Sequence, residues 1–388
     1  MKLVVQVKLL PTPVQATALE ATLRACNRAA DHASAVAHTT GVQTRNDLQK
    51  AVYAEVKEGF GLSAQPAVRV VKKVVDAYAA LRANLRAGNL GPANSKRYRT
   101  AAGSPITFRP LAAQPFDDRC LSWQFDARTV SIWTVRGRLR GIAFAAAPDQ
   151  LKTLIAYRKG ESDLLFRDGA WFLIATCEVP DPAVYEPVDF IGVDRGIVNL
   201  ATTSDDTNYQ GRGLSRYRRW QARKRTELQA KQTRSATRRL KRRAKKEQRH
   251  AIHINHVISK EIVAVAQRTG RGIAVEELGG IRERVRLRRD QRATLSSWPF
   301  HQLGQYLAYK ARRAGVPFLE VDPAYTSQRC PRCGHTEKAN RPTRDHFSCR
   351  RCGLAGPADL VAGVNVRNRA RSAWAFVTMP VATAPIRA

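Results

Sequence analysis

Four of the seven cysteines stand in two Cys-x-x-Cys pairs near the carboxyl end of the chain. The pairs are Cys330/Cys333 and Cys349/Cys352, and 15 residues separate them. This spacing is typical of a ribbon in which four thiolates hold one Zn²⁺ ion in a closed tetrahedral site. Such a site stabilises a small loop and leaves no open position for chemistry. We therefore predict a structural zinc ribbon at these positions. The remaining cysteines are predicted to be core residues: Cys26, Cys120 and Cys177.

The chain carries a large excess of positive charge. Its 388 residues include 66 Lys or Arg against 32 Asp or Glu, a formal net charge of +34. Such an excess opposes compaction unless a polyanion binds, so nucleic acid is the expected partner.

Between Gly211 and His250 there are 17 basic residues and two acids. A charge run can be a solvated helix face, but this density favours phosphate contact. The candidate contacts in this block are Arg216, Arg219, Arg223, Lys224, Arg234, Arg238, Arg239, Lys241, Arg242 and Lys245. Lys72 and Lys73, on a predicted helix nearer the amino terminus, are further candidates.

Hydrophobic periodicity changes along the chain. Residues 2–10 alternate as a strand, and residues 13–86 place apolar residues three and four apart, as in helices. Residues 105–180 predict short strands, beginning with residues 106–110 and including a hairpin at Asp168-Gly169. From residue 187 onward, buried strands alternate with helices, including one long basic helix, which predicts an α/β layer. No apolar run is long enough to span a bilayer, and the amino terminus does not resemble a signal peptide.

Acidic residues are scarce, so those in apolar strands stand out. Asp194 lies in F-I-G-V-D-R-G-I, and Glu276 and Glu277 lie in I-A-V-E-E-L. A buried carboxylate is costly unless it is paired or binds a cation. Asp359 opens a predicted helix, where a helix cap is the alternative role. Three acids from two strands and a helix could bind two Mg²⁺ ions and activate water against a phosphodiester.

The order of these motifs resembles the TnpB (OrfB) family of transposon-associated RNA-guided DNA endonucleases, which are related to compact type V CRISPR effectors. The resemblance runs through G-V-D-R-G, the basic helix, V-E-E-L, D-P-A-Y-T-S-Q-R-C-P-R-C-G-H and A-D-L-V-A-G-V-N. It implies that Asp194, Glu276 and Asp359 are the catalytic Mg²⁺ ligands. Glu277 falls on a neighbouring position of the family pattern.

The resemblance also implies an architecture of α/β and β domains. A RuvC-like nuclease domain (RNase H fold) would carry the inserted four-Cys zinc ribbon, after a β-barrel wedge domain with a helical recognition insertion. The implied bounds are 1–12 and 100–186 for the wedge, 13–99 for the helical domain, 187–325 and 356–388 for the nuclease, and 326–355 for the ribbon.

For function, the resemblance implies a guide RNA that pairs with target DNA beside a short flanking motif. It implies a prokaryotic cytoplasmic protein without a membrane partner, nucleoid-associated on DNA, and either a monomer or a homodimer. Two alternatives stay open. Val361 stands where many members carry Asn, which favours an RNA-guided DNA-binding repressor or interference effector that does not cut. A zinc-ribbon RNA-binding protein would use the acids only as caps and salt-bridge partners.

Overall fold

The structure, a computed structural model, describes residues 1–279 and 300–378 and forms two compact units with the boundary after Pro180. Residues 280–299 and 379–388 of the predicted nuclease domain lie outside the described residues, and with them the first four residues of a helix that the sequence pattern predicts over residues 296–315. Within the described ranges, no helix combines the length and the apolar character that crossing a bilayer requires.

Unit 1 is built on a seven-stranded antiparallel sheet with the order β2-β6-β7-β1-β5-β4-β3. The strands are β1 (Lys2–Leu10), β2 (Gln114–Phe116), β3 (Leu121–Gln124), β4 (Thr129–Thr134), β5 (Gly137–Ala145), β6 (Arg158–Arg167) and β7 (Ala170–Glu178). Buried and half-buried residues alternate along β7, so one face packs on the core. The predicted hairpin between β6 and β7 is confirmed, because Asp168 and Gly169 both have positive φ, as a tight primed turn requires.

The strand predicted over residues 106–110 is wrong, since these residues join no ladder. Their polar groups are satisfied differently: the Phe108 amide donates to Asp31 Oδ1 at 2.6 Å, and the Pro110 carbonyl accepts from Asn27 Nδ2 at 3.2 Å. Pro110 also lacks the amide hydrogen that a central strand would need. The apolar side chains Ile106 and Phe108 pack against the helical core instead of a sheet.

Four helices of unit 1 lie between β1 and β2 in the chain, and one lies between β5 and β6. They are α1 (Pro13–Thr40), α2 (Arg45–Gly59), α3 (Ala64–Arg86), α4 (Lys96–Ala102) and α5 (Pro148–Tyr157). A capping box of Thr12 and Gln15 begins α1, and Gly41 with φ +73° ends it. Small buried residues along α1, including Ala29 and Ala33, allow α2 and α3 to pack closely.

Unit 2 contains a five-stranded sheet with the order β10-β9-β8-β11-β12. Its strands are β8 (Phe190–Asp194), β9 (Asn199–Thr203), β10 (Asn208–Gln210), β11 (Gly272–Glu276) and β12 (Phe318–Val321). Strands β8, β11 and β12 run parallel, whereas β9 and β10 are antiparallel additions. Every residue of β11 is buried, as expected for a strand with helices on both faces.

The α-helices in the described part of unit 2 are α6 (Arg212–Ala230), α7 (Arg234–Arg268), α8 (Phe300–Ala314) and α9 (Ala358–Thr378). The single long basic helix predicted from sequence is two helices, because Gln232 adopts φ +48°. The Thr233 hydroxyl then caps α7 by accepting from the Ala236 amide. Helix α9 lies against β8, and Gly192 permits this approach, since a Cβ there would overlap the Gly363 carbonyl oxygen.

A small two-stranded ladder, β13 (His346–Ser348) with β14 (Ala355–Pro357), lies between β12 and α9 in the chain. Cys330, Phe347 and Cys349 form its buried centre. Because β14 leads directly into α9, this segment and the first turn of α9 are positioned together.

Candidate functional site

Two carboxylates meet at the carboxyl ends of adjacent parallel strands. Asp194 is the last residue of β8 and Glu276 is the last residue of β11. Val275 lies opposite Val193 in the ladder, so Glu276 lies next to Asp194 on the same face of the sheet. Arg195 donates a hydrogen bond to the Glu276 carbonyl oxygen and ties the two strand ends together.

Asp359 reaches the same region from the first turn of α9. Its Oδ2 accepts from Asn199 Nδ2 at 2.8 Å, and its Oδ1 lies 3.4 Å from Arg341 Nη2. We call Asp194, Glu276 and Asp359 the carboxylate edge.

The carboxylate edge concentrates negative charge. Burial raises the pKa of Asp194 well above its usual value, and the charges of Glu276 and Asp359 raise it further. Burial also raises the pKa of Glu276. Arg341 and Arg195 lower the pKa of Asp194 only in part. Like charges held together in a buried place are characteristic of a cation site or a catalytic site.

The donor set of the carboxylate edge fits Mg²⁺, because carboxylate oxygens are the ligands that this hard cation prefers. Burial and the neighbouring carboxylates, which raise the pKa of Asp194, make its ionised form costly, and a bound divalent cation would offset this cost. The oxygen atoms of the three carboxylates are more widely spaced than the cysteine sulfurs: among residues 1–279 and 300–378, the ligand atoms that lie within 4.8 Å of one another are those of the four cysteines.

A hydrogen bond from the turn after β12 holds Glu276. Thr326 is buried, and its hydroxyl donates to Glu276 Oε1. Asn365 on α9 fixes this turn, since its Nδ2 donates to the carbonyl oxygens of Thr326 and Arg329, both at 2.7 Å. Glu277, the neighbouring acid of the motif, is exposed, and its amide donates to the Val321 carbonyl at 2.8 Å.

The sequence interpretation did not find Thr326, Arg341 or Asn199. Thr326 had a signal in the sequence, because it follows the last buried strand before the cysteines, and the carboxyl ends of parallel strands share one edge of a sheet. Arg341 and Asn199 had none, since their approach to Asp359 depends on the path of the ribbon and on the register of β9.

The four cysteines Cys330, Cys333, Cys349 and Cys352 gather their sulfur atoms within 4.8 Å of one another. The Cys330–Cys352 distance is 3.5 Å and the Cys333–Cys349 distance is 3.6 Å. Four thiolates around Zn²⁺ at about 2.3 Å lie about 3.8 Å apart, so the cluster fits this ion.

Two glycines and one valine shape the cysteine cluster. Gly334 and Gly353 have φ of +74° and +71°, and their amides donate to the carbonyls of Cys330 and Cys349. Val361 is buried against the same cluster. An apolar residue at this position of α9 therefore packs under the ribbon.

The predicted phosphate contacts of unit 2 lie on the helices α6 and α7. Residues 212–250 of these helices are called the basic hairpin. Its exposed candidates are Arg216, Arg219, Arg223, Arg234, Arg238, Arg239, Lys241, Arg242 and Lys245. Lys224 is half-buried and pairs with Glu227 at 2.8 Å. Trp220 is 41% exposed, with the guanidinium of Arg243 stacked 4.5 Å from its ring centroid.

The two lysines predicted to contact phosphate in unit 1 have partners inside that unit. Lys72 pairs with Asp76 at 2.9 Å. Lys73 donates to Asn27 Oδ1 at 2.6 Å and lies over the Phe108 ring. Burial lowers the pKa of Lys73 to about 8. Both lysines are therefore engaged inside unit 1, Lys73 the more deeply buried of the two.

Two regions of the chain match known families. Residues 175–279 match the OrfB_IS605 family, described as a probable transposase, and residues 300–366 match the TNB domain of Cas12f1-like proteins. The chain is 39% identical over 113 residues to the CRISPR-associated endodeoxyribonuclease Cas12f1 of Sulfoacidibacillus thermotolerans. This match covers 29% of this chain and 25% of that protein. It is 27% identical over 221 residues to the putative RNA-guided DNA endonuclease InsQ of Escherichia coli K12, with 51% and 53% covered.

A TnpB-like protein of Methanocaldococcus jannaschii is 31% identical over 122 residues, covering 31% of this chain and 43% of that protein. The matched regions thus span a quarter to about half the length of these relatives. The fold is similar to that of the mini-RNA-guided endonuclease CRISPR-Cas_phi3, with a TM-score of 0.52, 12% identity and coverage of 96% and 92%. Together, the family matches and the named relatives confirm that this chain resembles the TnpB (OrfB) family.

Proposed function

We propose that the chain is an RNA-guided DNA endonuclease. In this proposal, residues 187–325 and 356–388 are a RuvC-like nuclease domain of RNase H fold, and residues 326–355 are its inserted zinc ribbon. The observation that carries the proposal is the placement of Asp194 and Glu276 side by side on parallel strand ends, with Asp359 arriving from α9. The strand order of unit 2, three parallel strands extended by two antiparallel ones, supports the same assignment.

Asp194, Glu276 and Asp359 would hold two Mg²⁺ ions. When bound, such a pair activates water and stabilises the leaving oxygen of a phosphodiester. The chain's own residues prepare the ligands: Thr326 orients the Glu276 carboxylate, and Asn199 with Arg341 orients Asp359. In this role the three acids are metal ligands, not general bases.

The basic hairpin and the net charge of +34 support a nucleic-acid partner. We propose that a guide RNA pairs with one DNA strand and supplies sequence specificity, while the protein reads a short flanking motif. The sheet of unit 1 would form the wedge-like domain (1–12 and 100–186), and the segment containing α1–α3 would form the recognition domain (13–99). The insertion of these helices after β1 supports this division.

Sequencing the RNA that co-purifies with the expressed protein tests the proposal. We expect a discrete transcript with one variable end. Purified complex, given Mg²⁺ and a plasmid carrying the sequence of that variable end beside randomised flanks, should cut the plasmid next to a short common motif. Bulk ribosomal fragments together with no cutting of any plasmid would contradict the proposal.

A second candidate is an RNA-guided DNA binder that cuts weakly or not at all. Val361 favours it, because this side chain packs on the cysteine cluster and offers no donor atom to the carboxylate edge. The same plasmid experiment separates the two functions. Guided binding with little or no nicked or linear product would support the binder, and conversion of most of the plasmid to linear product would exclude it.

A further inference from the structure

Tyr325 combines two unusual properties beside the carboxylate edge. Its side chain is 62% exposed, and its backbone has φ +59°, in the left-handed region. Bulky residues other than glycine are rare in this region because Cβ crowds the backbone. Strained residues of this kind persist where the surrounding structure fixes them, and they cluster at functional sites.

The position of Tyr325 follows from the sheet. Strand β12 runs parallel to β11, with Val321 opposite Glu276, so the turn over residues 322–329 begins at the same edge as the carboxylates. Thr326, the next residue, touches Glu276 through its hydroxyl. Tyr325 is therefore one residue from a direct contact with the carboxylate edge.

Hydrogen bonds on both sides fix the conformation of this turn. Arg369 on α9 donates to the carbonyl oxygens of Asp322 and Ala324, and Asn365 holds the carbonyl of Thr326. The carbonyl of Tyr325 itself accepts from the amides of residues 328 and 329, both at 2.9 Å. The backbone cannot relax without losing several of these bonds, so the ring is held towards solvent.

The side chain of Tyr325 has no structural task that accounts for this arrangement. Among residues 1–279 and 300–378, its hydroxyl makes no hydrogen bond and its ring stacks on no other aromatic ring. An exposed aromatic ring on a rigid turn offers a flat apolar face. Such faces bind single-stranded nucleic acid by stacking, because every base presents a π-face.

We propose that Tyr325 stacks on a nucleobase of the single DNA strand next to the phosphate that reaches the carboxylate edge. This inference rests on the proposed function and adds a substrate-positioning residue to it. Stacking is tolerant of sequence, so Tyr325 sets the register of the strand over the acids without selecting a base. The hydroxyl takes no part, since no residue in the described part of the chain hydrogen-bonds to it and orients it.

Two substitutions separate the ring from the backbone. Tyr325→Asn removes the ring and keeps a residue that tolerates positive φ, so the turn is expected to fold. Tyr325→Phe keeps the ring and serves as the matched control. Equal thermal midpoints of the purified complexes establish that both variants are folded.

The first readout is cleavage of single-stranded DNA in the guided complex with Mg²⁺, at DNA concentrations below KM. Tyr325→Asn is expected to lower kcat/KM by about 5- to 150-fold, whereas Tyr325→Phe stays within about twofold. Substrates with one abasic site, moved base by base past the cut, should reproduce this loss at one position in the wild type. At that position the abasic site should not lower the kcat/KM of Tyr325→Asn any further.

The second readout needs no cleavage. In an Asp194→Ala background, 2-aminopurine at the identified position should be quenched by the Tyr325 protein and not by its Tyr325→Asn counterpart. If no single position stands out, every base near the cut is tested in turn. Stronger quenching of a guide-RNA base than of any DNA base would overturn the assignment to the DNA strand.

The two readouts separate the two proposals. Equal kcat/KM and equal abasic sensitivity in Tyr325→Asn and wild type would overturn stacking and leave the nuclease intact. Tyr325-dependent quenching in a protein that cuts no guided target would keep stacking and overturn the nuclease. Neither quenching nor cleavage would overturn both.

Discussion

The two units differ in how their buried charged side chains are arranged. Those of unit 1 pair with opposite charges, whereas those of the carboxylate edge in unit 2 have the same sign. In unit 1, Arg69 pairs with Asp117 at 3.0 Å and also with Glu161, and all three side chains are largely buried. In unit 2, the carboxylate edge collects like charges, and their mutual effect raises the pKa of Asp194. Charges paired inside a fold need no ligand, whereas like charges gathered in one place favour the binding of an ion of opposite sign. This difference is why we propose that unit 2 carries the active site.

Substitution in the cysteine cluster should have the largest effect. Like the carboxylate edge, this cluster gathers ligands of one kind in unit 2. Structural Zn²⁺ contributes about 10–16 kcal/mol of apparent binding free energy in zinc-finger peptides. We expect Cys349→Ser to lose bound zinc and residues 326–357 to lose protection in hydrogen exchange, while unit 1 is unchanged. Cys177→Ala, at a buried cysteine of unit 1, should keep the metal content. Equal zinc content in Cys349→Ser and wild type would contradict the assignment.

The paired charges of unit 1 give the next effect. Arg69→Met leaves Asp117 and Glu161 without their main cation, which should lower the free energy of unfolding by about 2–3 kcal/mol. Lys159→Met removes an exposed pair with Glu178 and should cost less than about 1 kcal/mol. Urea denaturation measures both. Similar losses in the two variants would show that the Arg69 network is not buried charge pairing.

Lys73, a buried cation of unit 1, should make the free energy of unfolding depend on pH, and its lowered pKa fixes the direction. Burial lowers the pKa of Lys73 to about 8, below the ordinary lysine value, so the unfolded chain binds more protons between about pH 8 and 10. Lys73 should therefore contribute stability that rises with pH in this window, by roughly 1–2 kcal/mol from pH 7.5 to 9.5, and buried cysteines such as Cys26, whose pKa burial raises to about 12, contribute with the opposite sign. Lys73→Met should remove this increment from urea titrations, and Lys72→Met should keep it. An unchanged increment in Lys73→Met would refute the prediction.

A substitution at the carboxylate edge should change stability least. It should raise the free energy of unfolding, whereas Arg69→Met lowers it. Asp194→Asn removes buried repulsion, so without Mg²⁺ it should stabilise the protein by about 1 kcal/mol. Mg²⁺ should raise the thermal midpoint of the wild type more than that of Asp194→Asn. Asp205→Asn is the control, because Asp205 pairs with Arg271 at 2.7 Å and should keep the Mg²⁺ response. Equal Mg²⁺ responses in wild type and Asp194→Asn would argue against a cation at this edge.

Local spacing was enough to predict the features whose residues are close in the chain. The cysteine cluster lies within residues 330–352, and the hairpin at Asp168-Gly169 depends on two residues. The break at Gln232 was missed because a single left-handed residue in a basic run leaves no hydrophobic pattern. Residues 106–110 look like a strand, but the apolar side chains serve the helical core.

The carboxylate edge depends on contacts far apart in sequence. Residue type and strand position predicted that Asp194 and Glu276 share a sheet edge, but alternation could not choose between Glu276 and Glu277. The register of β8 with β11 makes the difference, since it places Glu276 beside Asp194 and leaves Glu277 exposed. Arg341 reaches Asp359 through the folded ribbon, which no local pattern encodes.

The most direct test of the account compares wild type and Asp194→Ala in the complex with guide RNA. Both proteins are given a matched DNA target and Mg²⁺, and guided binding and cleavage are measured separately. We predict binding within about twofold and cleavage reduced by roughly a thousandfold or more, because in the proposed function Asp194 holds metal at the reacting phosphate and takes no part in recognition. An Asp194→Ala protein that binds and still cuts at the wild-type rate would contradict it.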